Sequence, residues 1–216
     1  MHTRPDSSPP AIETTLDRAL IGLAPPGLLS GCRRIQVGDE QFLLPAERAS
    51  IATREHRARD ASGAGRRIAH ELLQRLGWAD LAVTRGRMGD PVWPADVVGS
   101  IAHDDELAVA AVARIDAVRS VGVDIEPVLP LPTDLRPIVI TPQDRLGDLD
   151  SDIGGRILFA AKEAAYKASF PLDGLVLGFE DIAVDFKSGE AVTSFGRRLT
   201  VRFSVSARIL ALAYTA

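Results

Sequence analysis

Apolar residues in the first half of the chain recur at spacings that predict two helical stretches and several short strands. Pro45 opens a charged helical stretch, which we expect Ala61-Ser62-Gly63 to interrupt. A second helix is predicted over 65–76, because apolar residues recur there every three or four positions. Apolar and β-branched runs indicate the strands of this half. Two short strands are predicted to form a hairpin over 33–44 about Gly38-Asp39, and three further strands are predicted over 81–85, 97–103 and 107–115.

The second half of the chain follows the same order of elements. A strand is predicted over 120–125, and a proline-punctuated connection leads to a long helix over 151–170. Because each half offers a helix and about three strands, we predict an α+β protein of two similar subdomains, each a helix packed on a small, mainly antiparallel sheet, related by a pseudo-two-fold axis. The remaining predicted strands are 182–186, 199–205 and 209–214. The predicted subdomains are residues 1–115, with a flexible tail over 1–11, and residues 116–216, with the active site in the cleft between them.

Composition excludes several other classes of protein. The 216 residues are 46% hydrophobic, enough to form a sizeable core. No apolar run approaches the roughly 20 residues that span a bilayer, and the polar, proline-rich N-terminus lacks the apolar centre of a signal peptide. The single cysteine, Cys32, excludes an internal disulfide and is typical of a reducing compartment. We therefore predict a cytoplasmic protein that does not bind membranes.

Charge is distributed unevenly along the chain. The net charge of −4 argues against a dedicated nucleic-acid binder. Between Arg48 and Arg87, however, nine arginines stand against four acidic residues, which indicates either a patch for phosphates and acidic partners or a solvated arginine-rich helix. Only three residues of the chain are lysine, and two of them, Lys162 and Lys167, fall in one short motif. A lysine in so arginine-rich a chain indicates a specific need for a compact point charge.

Two carboxylates lie on one face of the strand that contains Gly122-Val123-Asp124-Ile125-Glu126. Residues i and i+2 of a strand point to the same side, so the side chains of Asp124 and Glu126 lie together. Paired carboxylates resist simultaneous ionisation unless a cation is bound, and oxygen ligands suit magnesium. The alternative is a strand end with two solvated acids.

The long helix of the second half carries Lys162, Glu163 and Lys167. Glu163 and Lys167 are neighbours at i and i+4, which is compatible with a surface salt bridge of about 0.3–0.5 kcal/mol. The functional interpretation uses both charges: Glu163 would complete the metal site or accept a proton from a hydroxyl nucleophile, and Lys167 would stabilise a phosphate oxygen.

A constrained loop and the strand that follows it present a hydroxyl and an imidazole. The loop is Gly89-Asp90-Pro91-Val92-Trp93-Pro94, and the strand begins Gly99-Ser100-Ile101-Ala102-His103. A lone histidine is more often structural than functional. Because His103 precedes the acidic pair on a strand of small residues, the arrangement favours a phosphate contact.

Taken in this order, these segments resemble the 4′-phosphopantetheinyl transferase superfamily. Its strand motif Gly-x-Asp-x-Glu matches residues 122–126, and its helix motif Phe/Trp-x-x-Lys-Glu-Ala-x-x-Lys matches residues 159–167. The Pro-x-Trp-Pro and Gly-Ser-Ile-x-His elements further resemble the branch that serves siderophore, polyketide and broad carrier-protein pathways. The likeness runs from about Glu47 to the C-terminus. It implies an enzyme that moves the phosphopantetheine arm of coenzyme A to a serine of an apo-acyl or peptidyl carrier protein.

The resemblance also implies a role for each matching residue. Asp124, Glu126 and Glu163 would hold Mg²⁺, with Mn²⁺ as an alternative, and Glu163 would be the base. Lys167 would stabilise the departing 3′,5′-ADP. The expected coenzyme A contacts are Lys162, Ser100, His103, Arg66 and Arg57, with Arg87 replacing a lysine that some members carry where this chain has Asp90.

Other functions fit the sequence less well. A magnesium-dependent nuclease or phosphatase would need a further acid or hydroxyl motif that the sequence lacks. The Gly63-Ala64-Gly65 run is not a dinucleotide fingerprint, because no strand precedes it. A non-catalytic protein that binds coenzyme A or a carrier protein is the stronger alternative, although mere binding would not require Glu163. We expect a monomer, since the two subdomains would form the cleft by themselves.

Overall fold

The structure, a computed structural model, describes residues 12–51, 54–149 and 152–215. Its helices are α1 Ile12–Leu23, α2 Pro45–Ser50, α3 His56–Arg75, α4 Arg136–Val139 and α5 Gly154–Asp173. Its strands are β1 Leu28–Arg34, β2 Thr84–Arg85, β3 Pro91–Val92, β4 Val97–His103, β5 Leu107–Arg114, β6 Ser120–Glu126, β7 Ile182–Asp185, β8 Glu190–Thr193, β9 Arg198–Val205 and β10 Ile209–Thr215.

The strands form two main antiparallel sheets. The first has the order β1-β5-β4 and the second the order β6-β10-β9-β8-β7, while β2 and β3 make a separate two-stranded ribbon. The last strand of the first sheet ends at Arg114, and the first strand of the second begins at Ser120. The predicted α+β class, with a helix on a small antiparallel sheet in each half, is confirmed.

Each sheet buries one face against a long helix. Apolar residues of α3, such as Ile68 and Leu72, pack on β5 residues including Ala110, and the alanine-rich face of α5 packs on the second sheet. The opposite faces of both sheets share a further core with α1, which buries Leu16 and Leu20. Because strand residues alternate in direction, Asp124 and Glu126 lie opposite the α1 core that holds Val123 and Ile125.

The two sheets meet where β4 lies beside β6. The backbone N–H of Val123 on β6 donates a hydrogen bond to Ser100 Oγ on β4, at 3.1 Å. This contact brings the edge of the first sheet next to the strand that carries the acidic pair. The predicted phosphate-contacting strand and the predicted metal-binding strand are therefore neighbours.

Several predicted elements differ from the structure. The hairpin over 33–44 is wrong: β1 ends at Arg34, and Asp39–Phe42 forms a 3₁₀ turn. The helix break at Ala61-Ser62-Gly63 is also wrong, because α3 runs through it without interruption. Packing explains the glycine: a Cβ at Gly63 would lie 2.1 Å from the carbonyl oxygen of Asp39, so this residue lets the turn rest on the helix backbone.

Other differences concern the extent of the elements. α1 and β8 were not predicted, and the strand expected over 81–85 is confined to β2. The expected tail over 1–11 and the expected helix start at Ser151 lie outside the described residues. Within the described ranges, no helix has the length and apolar character needed to cross a bilayer.

Candidate functional site

Asp124 lies in the interior at the junction of β6 and α5. Its Oδ1 accepts a hydrogen bond from Lys167 Nζ at 2.6 Å, whereas its buried Oδ2 has no hydrogen-bond partner in the part of the chain that the structure describes. Burial raises the pKa of Asp124, although the Lys167 ammonium opposes that rise. An unsatisfied buried carboxylate oxygen is rare and points to an additional cation.

Glu126 lies two residues further along the same strand face. Its Oε2 accepts a hydrogen bond from Arg156 Nη1 of α5 at 2.8 Å. Burial raises the pKa of Glu126, the Asp124 carboxylate raises it further, and Arg156 opposes the shift. The Arg156 guanidinium also donates to the Pro130 carbonyl, so it fixes Glu126 against the connection that follows β6.

Glu163 faces this pair from α5. Burial raises its pKa, and the Asp124 carboxylate adds to the rise while Lys167 opposes it. The Glu163–Lys167 salt bridge, which was the alternative interpretation of this spacing, is absent among the described residues, because Lys167 pairs with Asp124 instead. Glu163 has no hydrogen-bond partner within those residues, which leaves its carboxylate available.

The three carboxylates fit a divalent cation by their chemistry. All three have raised pKa values, and a bound cation would relieve the repulsion between them. Their oxygens are not gathered within 4.8 Å of one another. In the described ranges, only Glu40, His56 and Asp60 meet that spacing.

The Glu40–His56–Asp60 trio is already engaged in structural bonds. Arg59 Nε binds Glu40 at 2.6 Å, and Asp60 Oδ1 accepts two backbone N–H groups of the adjoining turn. None of its residues belongs to the predicted metal site of Asp124, Glu126 and Glu163.

A cavity of about 410 Å³ opens beside Lys167, and we call it the central cleft. It lies between the loop that carries Asp90, strand β4 and helix α5. Most of its wall is apolar or aromatic, so it suits the uncharged part of a ligand. Its lining residues are Met88, Gly89, Asp90, Pro91, Trp93, Val97, Gly99, Ser100, Ile101, Tyr166, Lys167, Phe170 and Pro171.

A smaller cavity of about 120 Å³ adjoins the central cleft, and we call it the cationic pocket. The two share Gly89, Pro91 and Ile101. Three guanidinium groups and an imidazole surround the smaller one, which gives it the charge expected of a phosphate site. Its lining residues are Arg54, Ala61, Ser62, Arg66, Arg85, Gly89, Pro91, Ile101 and His103.

Arg66 and His103 of the cationic pocket have perturbed pKa values. Burial lowers the pKa of Arg66, and the neighbouring Arg54 and Arg85 add to the effect while Glu47 opposes it. Arg66 Nε donates to the Val83 carbonyl at 2.7 Å. The His103 side chain is exposed, yet partial loss of hydration lowers its pKa, and the Arg54 and Lys167 charges add to this.

Two of the predicted coenzyme A contacts, Lys162 and Arg57, are bonded to other groups of the protein. Lys162 is completely buried, and its ammonium donates to Asp144 and to the carbonyls of Val139 and Phe179. With all three donors used, it has none left for a phosphate. Arg57 is exposed and pairs with Asp105 at 3.1 Å, away from the cationic pocket.

The remaining predicted contacts line one or other of the two cavities, with the exception of Arg87. Ser100 lines the central cleft, but its hydroxyl oxygen already accepts the Val123 N–H. Arg87 is exposed and lines neither cavity, so Arg85 supplies the guanidinium expected from this loop.

Sequence reasoning missed Arg54, Arg85 and Arg156. Arg156 precedes Glu163 by two helical turns, and this spacing could have identified it. Arg54 lies in a connection without periodicity, and no signal in the sequence distinguished it from its neighbours.

Comparison with known proteins agrees with this geometry. A sequence model described as the 4′-phosphopantetheinyl transferase N-terminal domain matches residues 46–113, and one described as the 4′-phosphopantetheinyl transferase superfamily matches residues 120–213.

Three similar proteins are also named 4′-phosphopantetheinyl transferases. The chain is 43% identical over 147 residues to 4′-phosphopantetheinyl transferase Npt of Nocardia iowensis, covering 66% of each protein. It is 39% identical over 150 residues to 4′-phosphopantetheinyl transferase PptT of Mycobacterium tuberculosis, covering 67% of this chain and 66% of the relative. It is 37% identical over 168 residues to 4′-phosphopantetheinyl transferase Svp of Streptomyces mobaraensis, covering 74% and 67%. The chain thus spans just under two thirds of the length of the first two relatives. From the two matching sequence models and these relatives, we conclude that the chain belongs to the 4′-phosphopantetheinyl transferase superfamily.

Proposed function

We propose that this chain transfers the 4′-phosphopantetheine group of coenzyme A to a serine hydroxyl of an apo-carrier protein and releases 3′,5′-ADP. The observation that carries the proposal is the adjacency of three features. These are the carboxylates with the unsatisfied Asp124 Oδ2, the apolar central cleft and the cationic pocket. Each feature matches one part of coenzyme A. The carboxylates and their metal would bind its pyrophosphate, the central cleft would take its pantetheine arm, and the arginines would bind its 3′-phosphate.

Asp124, Glu126 and Glu163 would hold the metal, with Mg²⁺ preferred and Mn²⁺ as the alternative. When bound, the ion supplies neutralisation of the pyrophosphate charge during transfer. Lys167 and Arg156 already contact two of these carboxylates, so the site is arranged with cations on both sides. Release of Lys167 from Asp124 would leave its ammonium free for a phosphate oxygen.

The transfer step needs a base and a group that stabilises the leaving phosphate. Glu163 accepts the proton of the carrier serine, directly or through water, and its raised pKa makes it a stronger base than an ordinary carboxylate. The serine oxygen forms the new bond to phosphorus, the bond to 3′,5′-ADP breaks, and Lys167 stabilises the developing negative charge. Ser100 holds β4 against β6 and thereby keeps the cleft wall in place.

The cationic pocket is assigned to the 3′-phosphate of coenzyme A. Arg54, Arg66 and Arg85 supply three guanidinium groups, and His103 completes the lining. The excess of arginine over the segment that surrounds this pocket would also steer a carrier protein that is acidic around its acceptor serine.

The organisation proposed for the molecule follows from the same site. We place the subdomain boundary between residues 115 and 116, with the active site in the cleft between the halves, and propose a cytoplasmic monomer without nucleic-acid or membrane partners. A two-fold dimer measured by light scattering would contradict the monomer.

A paired binding and release experiment tests the proposal. Calorimetry with coenzyme A and Mg²⁺ measures binding, and chromatography of 3′,5′-ADP in the presence of an apo-carrier protein measures transfer. We expect Glu163→Gln to bind coenzyme A but to release 3′,5′-ADP at least about 100-fold more slowly, a typical effect of losing a general base.

The matched control is Glu71→Gln, which changes an exposed carboxylate on α3 and should leave both measurements unchanged. Binding without release by the unaltered protein on several apo-carriers would instead support a non-catalytic binder. Release of a different phosphate product would support another magnesium-dependent phosphotransfer enzyme.

A further inference from the structure

Glu47 on α2 is a fully buried carboxylate outside the proposed reaction machinery. Its two oxygens accept hydrogen bonds from the backbone N–H groups of Leu44, at 2.9 Å, and Val83, at 2.6 Å. The ring of His70 on α3 lies 2.8 Å from the same oxygen that Val83 contacts. Although burial opposes ionisation, the hydrogen bonds from His70, Leu44 and Val83 hold the pKa of Glu47 below its usual value.

Val83 connects this carboxylate to the cationic pocket. While Glu47 holds the Val83 N–H, the Val83 carbonyl accepts the hydrogen bond from Arg66 Nε. Arg66 is therefore hydrogen-bonded to the carbonyl of the same residue whose N–H Glu47 holds, so Glu47 and Arg66 are linked through the backbone of Val83. A shift of the Val83 backbone would move the carbonyl that accepts the hydrogen bond from the Arg66 guanidinium.

The same short helix also holds Arg85. Ser50, at the end of α2, accepts the backbone N–H of Arg85 at 3.0 Å. α2 thus secures the segment from Val83 to Arg85 at two points, and that segment either orients or supplies two of the three arginines of the pocket.

Charge gives a second reason for a carboxylate at this position. The guanidinium groups of Arg54 and Arg85 act against the charge of Arg66, and Glu47 is the carboxylate that offsets them. A buried carboxylate is costly unless its hydrogen-bonding capacity is used. A neutral side chain could satisfy some of the same bonds but would leave the three cations uncompensated.

We propose that Glu47 is a positioning residue for the cationic pocket, and that it sets the preference for coenzyme A over 3′-dephospho-coenzyme A. The inference rests on the proposed function, because it requires the pocket to take the 3′-phosphate. Glu47 acts through Val83 and Arg66 and does not touch the substrate.

The test is Glu47→Gln, assayed with both coenzymes under identical carrier-protein and Mg²⁺ concentrations. We expect KM for coenzyme A to rise about tenfold, the size of losing one charge-assisted contact, while kcat changes little. KM for 3′-dephospho-coenzyme A should stay the same, because that substrate has no phosphate for the pocket. A purely structural role would lower activity on both substrates alike, and that outcome would overturn the inference.

Two further variants keep the test decisive. Glu71→Gln, on the exposed face of α3, is the matched control and should preserve the preference. If Glu47→Gln melts before assay, Ser50→Ala removes the support under Arg85 and the hydrogen bond from the same hydroxyl to the Glu47 carbonyl. It should reduce the preference in the same direction; an unchanged preference would overturn the inference. If the unaltered protein does not distinguish the two coenzymes, the phosphate assignment in the proposed function fails, and this inference fails with it.

Discussion

Lys162 and Lys167 occur in one helix motif but lie in different environments. Lys167 is partly exposed and reaches the acidic pair, whereas Lys162 is enclosed with Asp144 and two carbonyl groups. The motif therefore combines a lysine of the proposed reaction with a lysine that secures the connections around α5. From the motif's sequence alone, both lysines are predicted to contact phosphate groups.

The first prediction concerns the buried lysine. Lys162→Met should lower the free energy of unfolding by about 3–5 kcal/mol, because it leaves the buried Asp144 carboxylate without its cation. Chemical denaturation measures the change. Lys187→Met, which alters the remaining, exposed lysine, is the control and should have no effect. A normally stable Lys162→Met protein with weakened coenzyme A binding would contradict the structural role.

The second prediction concerns the imidazole of the cationic pocket. The pKa of His103 should lie below its ordinary value of 6.5, because partial burial and nearby cations disfavour the protonated ring. The unfolded chain then binds the proton more readily, so this residue lowers stability as the pH falls below 6.5. NMR titration of the ring measures the value, and inorganic phosphate should raise it. A normal or raised value in the free protein would contradict the assignment.

At the scale of elements, the site depends on how closely α5 approaches β6. A Cβ at Gly122 would lie 2.0 Å from the Ala164 carbonyl oxygen and 2.7 Å from the Ala168 nitrogen. The glycine of the strand motif is therefore a packing requirement: without it, the helix could not lie near enough for Lys167 to reach Asp124.

The third prediction follows from that contact. Gly122→Ala should lower the free energy of unfolding by about 1–3 kcal/mol, as overpacking does, and should greatly reduce transfer by displacing Lys167 from Asp124. Gly22→Ala in α1, where an added Cβ meets nothing within 4 Å, should be neutral or stabilising by up to about 1 kcal/mol. Equal stability of the two variants would contradict this account of the motif.

An element could be predicted from the sequence where the residues that determine it lie within the element itself. β4, β5, β6 and α5 follow from apolar runs and helical periodicity, and the structure confirms them to within a few residues. The uninterrupted course of α3 was not predictable, because its two glycines pack against parts of the chain that are distant in sequence: Gly63 against the turn at Asp39 and Gly65 against the Ile101 side chain. α1 was missed although Leu16, Leu20 and Leu23 have helical spacing.

At the scale of the whole molecule, the site arises from the junction of two sheets. The acidic residues belong to the second sheet and its helix, while every residue that lines the cationic pocket belongs to the first half of the chain. Sequence motifs predicted the acidic residues, since each motif is local. They did not single out Arg54, which lines the cationic pocket, and they pointed to Arg57, which lies outside it. The direction of an arginine near the start of α3 depends on where that helix begins.

The intact mass of an apo-acyl carrier protein, after incubation with this protein, coenzyme A and Mg²⁺, tests the central claim most directly. The account predicts a gain of one phosphopantetheine group on the carrier, which disappears when EDTA removes the metal or when Glu163→Gln replaces the unaltered protein. An unchanged mass on several apo-carriers, at concentrations where coenzyme A is bound, would contradict it.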